Sequence, residues 1–455
     1  MARGGARKLE LATLRSSCQS ALATMRMPTT RNEDFRFTDV TPILQSTLQP
    51  ASPAAASEDS IAAAVARHNL KQPAAAVVVV VDGVVHDTLG CAGCLPTGVY
   101  VGGLEGAPKD VISFALGSQS RSRGGPFATL NGALAQDAVV VHIPANTTLD
   151  RPIHILYLSS TADASAGAPG GASTHQSTKS AVPVSAPRLL CMLEEGASAE
   201  VVEEFAPLRQ DAEGGYLVTA VAEFELDDGS LMKHSYVQTE AGPAFHLKAT
   251  LVNQGTESSY TLTEASLGGS LTRHDLGIEQ SGPATQSHMC SFLLCGDRQL
   301  HDLHSRLRLD HPNGAADQLH KCIVSHSSGR GVFDGNVKVN RLAQKTDAQQ
   351  LSRNLLLAPR ATVNVKPNLQ IIADDVKCTH GCAVSDLEED ELFYLRSRGI
   401  SPATARQMLV YSFGREVVQG LKDEALMERV EAAVQRTLAT VDILAAAAAV
   451  AGEEQ

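Results

Sequence analysis

The run Ala373-Asp374-Asp375-Val376-Lys377-Cys378-Thr379-His380-Gly381-Cys382 gathers two carboxylates, two thiols and an imidazole. A thiolate and an imidazole two residues apart can reach one soft metal or sulfur species. In a strand Cys378 and His380 share a face; in a turn they need not. Cys382 offers a third donor. Asp374-Asp375 suits a hard cation, but such a pair also closes turns. Spacing alone leaves both readings open, a ligand set or a turn that carries reactive residues.

Other reactive residues read more plainly. Cys91-Ala92-Gly93-Cys94 is half a zinc ribbon or a redox dithiol. No second pair completes a structural zinc site, and a thioredoxin-like dithiol wants a βαβ setting, so a loop is expected. His288, His301, His304, His311, His320 and His326 crowd one window. In HSRLRLDH (304–311), alternation sets His304, Arg306, Arg308 and Asp310 against Ser305, Leu307 and Leu309, which reads as solvent-facing histidines on a wall. GxxxxGK[ST], HExxH, GxSxG and GxGxxG are missing, so no nucleotide is expected in a P-loop.

The elements that must position these groups follow from pattern. With 455 residues the chain holds two to four domains, unless one elongated fold takes most of it. Apolar residues make up 43 % but aromatics only 4 %, with no Trp. Such a core is built from Val, Leu, Ile and Ala, which favours stacked repeats. From about residue 73 short strand candidates succeed one another: AAAVVVVVDGVVHDTL, VVVHIP (139–144), IHILYL (153–158), RLLCMLEE (188–195), AEVVEEF (199–205), YLVTAVAEFEL (216–226), MKHSYVQT (232–239), HLKATLVN (246–253) and SYTLTEASL (259–267). No helix-length amphipathic segment interrupts them, which disfavours a parallel α/β sheet. The pattern predicts a mostly β protein, a parallel β-helix flanked by helical regions: 1–70 helical, 71–384 β-helix, 385–455 helical. Residues 159–187, rich in Ser, Ala, Gly and Pro, read as a flexible loop with His175 incidental.

At the C-terminal end Ser385-Asp386-Leu387-Glu388 reads as a capping box and Gly399 as the stop of that helix. Ser401-Pro402 opens the next helix, with Ala405, Leu409, Phe413 and Val417 along one face. A last helix covers about 422–448. At the other end Arg3, Arg7, Lys8, Arg15, Arg26 and Arg31 face one acid, Glu10. That composition is like an organelle transit peptide. Residues 8–26 read as a helix with Leu9, Leu14, Leu22 and Met25 inward, leaving the first seven as a targeting remnant. The net charge of −12 argues against a general nucleic-acid binder. No apolar run is long enough to span a membrane, and nine irregularly spaced cysteines suggest free thiols.

Three blocks carry a resemblance. GVFDGNVKVNRLAQKTDAQQLSRNLLL (331–357), ADDVKCTHG (373–381) and ELFYLRSRGI (391–400) closely resemble the SufB/SufD family of iron–sulfur cluster assembly proteins, supported by MPTTRNEDFRFTDV (27–40). The likeness is strongest over 300–420 and favours the SufD branch. It implies a right-handed parallel β-helix between helical domains, and a non-catalytic scaffold that pairs with a SufB-like paralogue and binds a SufC-like ABC ATPase, with a homodimer also open. The ATPase would dock on about 385–420, with Phe393, Tyr394, Arg396, Arg398, Gly399, Leu409 and Phe413 as interface candidates. His380 matches the histidine placed at the paralogue interface, and Cys378 its neighbouring cysteine. They would meet a transient iron or iron–sulfur cluster, with no cofactor tightly bound. The chain departs from the family in Gly381-Cys382-Ala383, where HGAT is usual, and in Leu369-Gln370-Ile371, where the triplet usually holds Glu. Cys382 therefore reads as a small residue rather than a ligand. Family and composition together point to the plastid stroma, with a bacterial cytoplasm as the alternative. A competing reading is a β-helix hydrolase or lyase acting on a polysaccharide through Asp374-Asp375; few rings and no Trp speak against it.

Overall fold

Strands of eight to ten residues separated by tight turns cannot each bury a face alone. They do so by stacking. The computed structural model describes residues 2–53, 56–89, 95–161, 181–210 and 214–453, and its β-rich middle winds as a parallel solenoid of about seven turns. Successive strands alternate between two sheets, and each pairs in parallel with the strand one turn away. One sheet runs through Leu217–Leu226, Phe245–Gln254, Leu271–Gln280, Leu300–Leu309, Arg330–Val339 and Thr362–Ile371. The other runs through Ser198–Pro207, Leu231–Gln238, Ser259–Ser266, Gln286–Cys295, Ala315–Val324, Asp347–Leu356 and Lys377–Ser385. The register holds equivalent side chains in columns, such as Leu303, Phe333 and Val365.

The valine run behaves as its composition predicts. Ala76–Val81 is a buried strand, and it turns back antiparallel on Val84–Leu89. Asp82 and Gly83, at φ 50° and 84°, supply the two left-handed residues of that tight hairpin turn.

The interior is not purely apolar. Lys248 faces inward and lies 2.5 Å from Glu203, which also holds His234 at 2.9 Å. Burial alone would raise the Glu203 carboxyl. The Lys248 charge and the His234 hydrogen bond overcome it and hold the group well below the carboxylate range.

Both outer faces are covered in part. Val410, Val417, Leu426 and Val430 of the C-terminal helices bury against Val237, Phe292 and Ile323 of the second sheet. The entry segment lies on the first sheet: the Arg273 guanidinium stacks over Phe35 at 4.0 Å and donates to Asp302 at 2.8 Å.

Several expectations need correction. The stretch expected to be strands alone contains helices at Lys109–Ala115, Ser120–Arg123 and Gly125–Leu134. The last is apolar nearly all round, so no amphipathic stripe betrayed it. The expected loop at 159–187 includes a strand, Val182–Ser185, which pairs with Leu48–Pro50 inside the region expected to be helical. His175, Cys91 and Cys94 lie outside the described residues. The first helix, Ala2–Leu22, buries Leu11, Leu14 and Cys18, while Leu9 is 65 % exposed and Met25 also faces out. Of the histidine cluster, His301, His304, His320 and His326 are buried rather than solvent-facing. His304 faces outward as its alternation predicts, but the entry segment covers that face: Asp302, 3.0 Å from His304, also accepts from Thr38. The capping box does not form. Ser385 ends a strand, and the helix Glu389–Arg396 starts after Glu388 with no side-chain cap. Ser401 does cap Pro402–Val418, accepting from the Thr404 amide at 3.2 Å.

Candidate functional site

The Cys378 stretch is a strand, not a turn. Lys377–Ser385 pairs with Asp347–Leu356 in a register that sets Cys378 beside Ala348, His380 beside Gln350 and Cys382 beside Ser352. Ala348, Gln350 and Ser352 are all buried inside the solenoid. Cys378, His380 and Cys382 therefore form one row along the inner face of the last coil. Asp374 and Asp375 sit in the turn before it. Asp375 is ion-paired with Lys345, and its amide donates to Gln344 Oε1 at 3.0 Å, so this residue serves to close the turn.

Nothing stacks above this row among the described residues, because Lys377–Ser385 ends its sheet and Thr362–Ile371 ends the other. His380 and Cys382 are exposed and Cys378 half-buried. Burial, with Asp347 close by, raises the Cys378 thiol above its ordinary value; burial alone raises Cys382. Beneath the row Gln350 donates to Gln318 Oε1 at 2.9 Å, and its own Oε1 is buried without a hydrogen-bond partner. Gln350 and Asn354 escaped the sequence reading, although their alternation with Leu351 and Arg353 placed them on one face.

Alternate residues on a strand lie about 7 Å apart, too far for a row of three to chelate one ion. Accordingly, no three His, Cys, Asp or Glu side chains among the described residues converge to hold a metal. The row offers single donors to something that arrives from above.

The C-terminal candidates divide into two groups. Phe393, 71 % exposed, and Tyr394, with Arg398 stacked over its ring at 3.7 Å, stand out from a helix that buries no residue. Arg396 and Gly399 are exposed too, and Gly399 turns the chain at φ 82°. Leu409 and Phe413 are half-buried instead. Phe413 packs toward the solenoid under the Lys321 ammonium, 4.5 Å from its ring, and Lys321 also donates to the Phe413 carbonyl at 2.9 Å. The structure does not bring these residues to the Cys378–His380 row, which faces into the solenoid.

Fold and site together define a β-solenoid protein whose terminal coil is left unpaired and carries soft-metal donors. Sequence comparison then gives the family. Residues 175–413 match the model of the SUF system FeS cluster assembly SufBD core domain, and residues 7–155 that of the SufBD protein N-terminal region. The chain is 42 % identical to the Arabidopsis thaliana protein ABCI7, chloroplastic, over 92 % of its own length and 85 % of that protein's. It is 33 % identical to an iron–sulfur cluster assembly SufBD family protein of Synechocystis, over 93 % of this chain and 90 % of the other. It is 34 % identical to the iron–sulfur cluster assembly protein SufD of Escherichia coli, over 54 % of this chain and 57 % of that one. The chain belongs to the SufBD family of iron–sulfur cluster assembly proteins.

Proposed function

We propose that this chain is a non-catalytic scaffold subunit of the SUF machinery, acting as its SufD-like member. Its terminal coil pairs with a SufB-like paralogue, and its C-terminal helices dock a SufC-like ABC ATPase. His380, with Cys378 beside it, supplies donors to iron or a nascent cluster at the paralogue interface. The cluster is cargo passing through and is not a resident cofactor. The observation that carries this reading is the unpaired last coil with its row of Cys378, His380 and Cys382. Donors that do not converge among themselves need ligands from a second molecule, and an unpaired sheet edge is where a second molecule can add a strand. Exposed Phe393 and Tyr394 on a helix with no buried residue suit a partner that covers them. A plastid stroma fits the chloroplastic relative, and a bacterial cytoplasm fits the Escherichia coli and Synechocystis ones.

The test is anaerobic co-purification of this chain with a SufB-like and a SufC-like partner, followed by native mass and iron content. One assembly holding all three is expected. His380→Ala should leave the assembly intact and lower its cluster yield at least about tenfold, because ligand loss removes an interaction that a remaining thiol at another position cannot replace. Unchanged iron and cluster yield in His380→Ala would remove the ligand role.

A further inference from the structure

On the outer face of the second sheet, far from the terminal row, three side chains stand in sequence. His288 Nδ1 lies 3.1 Å from Asp317 Oδ2, and Cys290 Sγ lies 3.3 Å from His288 Nε2. His288 and Cys290 are two apart on one strand, and the register sets His288 beside Asp317 on the next. The three therefore sit on one face by construction. With Asp317 accepting from Nδ1–H, Nε2 is the ring nitrogen left to take the thiol proton. The Cys378 strand is three strands further along the same sheet, about 14 Å away at the usual strand spacing, and the Cys290 thiol faces the opposite side of that sheet. His288 and Asp317 are half or more exposed, while Cys290 is half-buried beside the C-terminal helices.

We infer that Cys290 is a nucleophilic thiol that reacts by base-assisted exchange with divalent sulfur. Its site is assembled from Cys290, His288 and Asp317. The electrophile's class follows from what surrounds the thiol. Acyl transfer needs donors aimed at a developing oxyanion. The strand Gln286–Cys295 is paired on both sides, so its amides are committed to the ladders. The neighbouring cation is committed too, since Lys321 Nζ bonds the Phe413 carbonyl and pairs with Glu416. Attack at sulfur needs no oxyanion hole. It needs a thiolate at the moment of attack and a proton for the leaving thiolate.

The step balances as an exchange. His288 Nε2 takes the Cys290 proton, and Sγ attacks one sulfur of a disulfide or persulfide, R–S–S–R′. The old S–S bond breaks as the new one forms. Cys290 is oxidised into the mixed species, and the departing R′–S⁻ is reduced and takes the proton from His288. The groups facing the thiol explain why a base is required. Burial, then the charges of Asp317 and Glu416, push the Cys290 thiol up to about 11 against the opposing pull of Lys321. Cys290 thus rests protonated, and the attack depends on His288.

The experiment uses the full chain, reduced, and follows Cys290 by peptide mass spectrometry against glutathione disulfide and against glutathione persulfide. At neutral pH, His288→Ala and Asp317→Asn should each slow Cys290 by about tenfold or more, the scale of general-base assistance. Cys378 and Cys382 in the same samples should be unaffected. Far-UV circular dichroism at neutral pH should be the same for all three proteins, which shows that the variants keep their fold. Gain of a single sulfur atom identifies persulfide as the substrate; gain of glutathione identifies disulfide. The inference is overturned if His288→Ala reacts at the wild-type rate at neutral pH, or if Cys290 reacts with neither reagent. It stands or falls apart from the scaffold reading, whose test is the assembly and His380.

Discussion

Glu204 ties three parts of the chain together with one carboxylate. It holds His68 at 2.8 Å, His154 at 3.2 Å, and Arg429 through two contacts of 2.8 Å. Burial would raise its pKa, but the hydrogen bonds from His154 and His68 and the Arg429 charge bring it well below the ordinary carboxylate range. A carboxyl lowered on folding stabilises most above its unfolded value, roughly pH 4.3, and that contribution fades as pH falls toward the folded one. Glu204→Gln should therefore cost about 1.5–3 kcal/mol at pH 7, the weight of charged hydrogen bonds lost, because the half-buried Arg429 keeps the His68 and Asn69 carbonyls. Urea unfolding at pH 7 and again near pH 3 checks this. The gap between wild type and variant should shrink in acid, where the unfolded wild type takes up a proton that the folded carboxylate does not; an equal gap at both pH values would mean that packing, not charge, is lost. Alternation in AEVVEEF tells that Glu203 and Glu204 point to opposite sides. It cannot tell that both sides are covered, one by the solenoid interior and the other by helices from distant sequence. The same limit hid the burial of His304, and it left Cys378 and His380 open between strand and turn.

At the scale of elements, strands were the most legible feature. Period-2 alternation with Gly, Asn and Asp between runs placed the strands named between 74 and 267 within a residue or two, as in Phe245–Gln254 for the expected 246–253. Helices were legible where an apolar stripe or a cap marked them, as at Ser401-Pro402 and in the last helix. Gly125–Leu134 lacks such a stripe because it is buried on most sides. The docking of Pro402–Val418 on the second sheet depends on one residue that carries no side chain. A Cβ at Gly414 would meet Phe292 Cζ at 2.9 Å, and Phe292 is itself 1 % exposed. Two effects compete in Gly414→Ala. Helix propensity favours alanine by roughly 1 kcal/mol, and overpacking costs about 1–3 kcal/mol. Because the ring is fully enclosed and has little room to yield, the cost should win. Hydrogen exchange across 402–418 should speed up in the variant while the solenoid strands stay protected. Slower exchange there would mean that the helix rides outward cheaply and that its docking is less tight than the contact implies.

The whole molecule is a stack that stops. Each coil of a solenoid covers the one before it, so the last coil carries an uncovered row and an unsatisfied edge whatever its sequence. Nothing in the composition of Lys377–Ser385 marks it as last; the register and the onset of helix after it do. This is why the residue pattern could show a shared face for Cys378 and His380 but not what the face looked onto. The edge also has a direction. Lys377 donates its amide to Thr346, so in a parallel ladder Thr379, Gly381 and Ala383 also turn their amides inward to the neighbour strand. The amides of Cys378, His380, Cys382 and Val384 point outward, away from the stack. Val384 is 49 % exposed and lies past the Cys378–Cys382 row. Val384→Pro removes one outward donor and no inward one, and proline is tolerated on an edge strand in that orientation. The variant should keep its melting temperature within about 2 °C, as surface changes do. If the SufB-like paralogue adds its strand to this edge, affinity should fall about tenfold, the weight of one interfacial hydrogen bond and the clash of a ring. Analytical ultracentrifugation of the pair would read it. Full affinity in a folded Val384→Pro would place the paralogue on another face, and the Cys378–His380 row would then look onto solvent in the assembly as well.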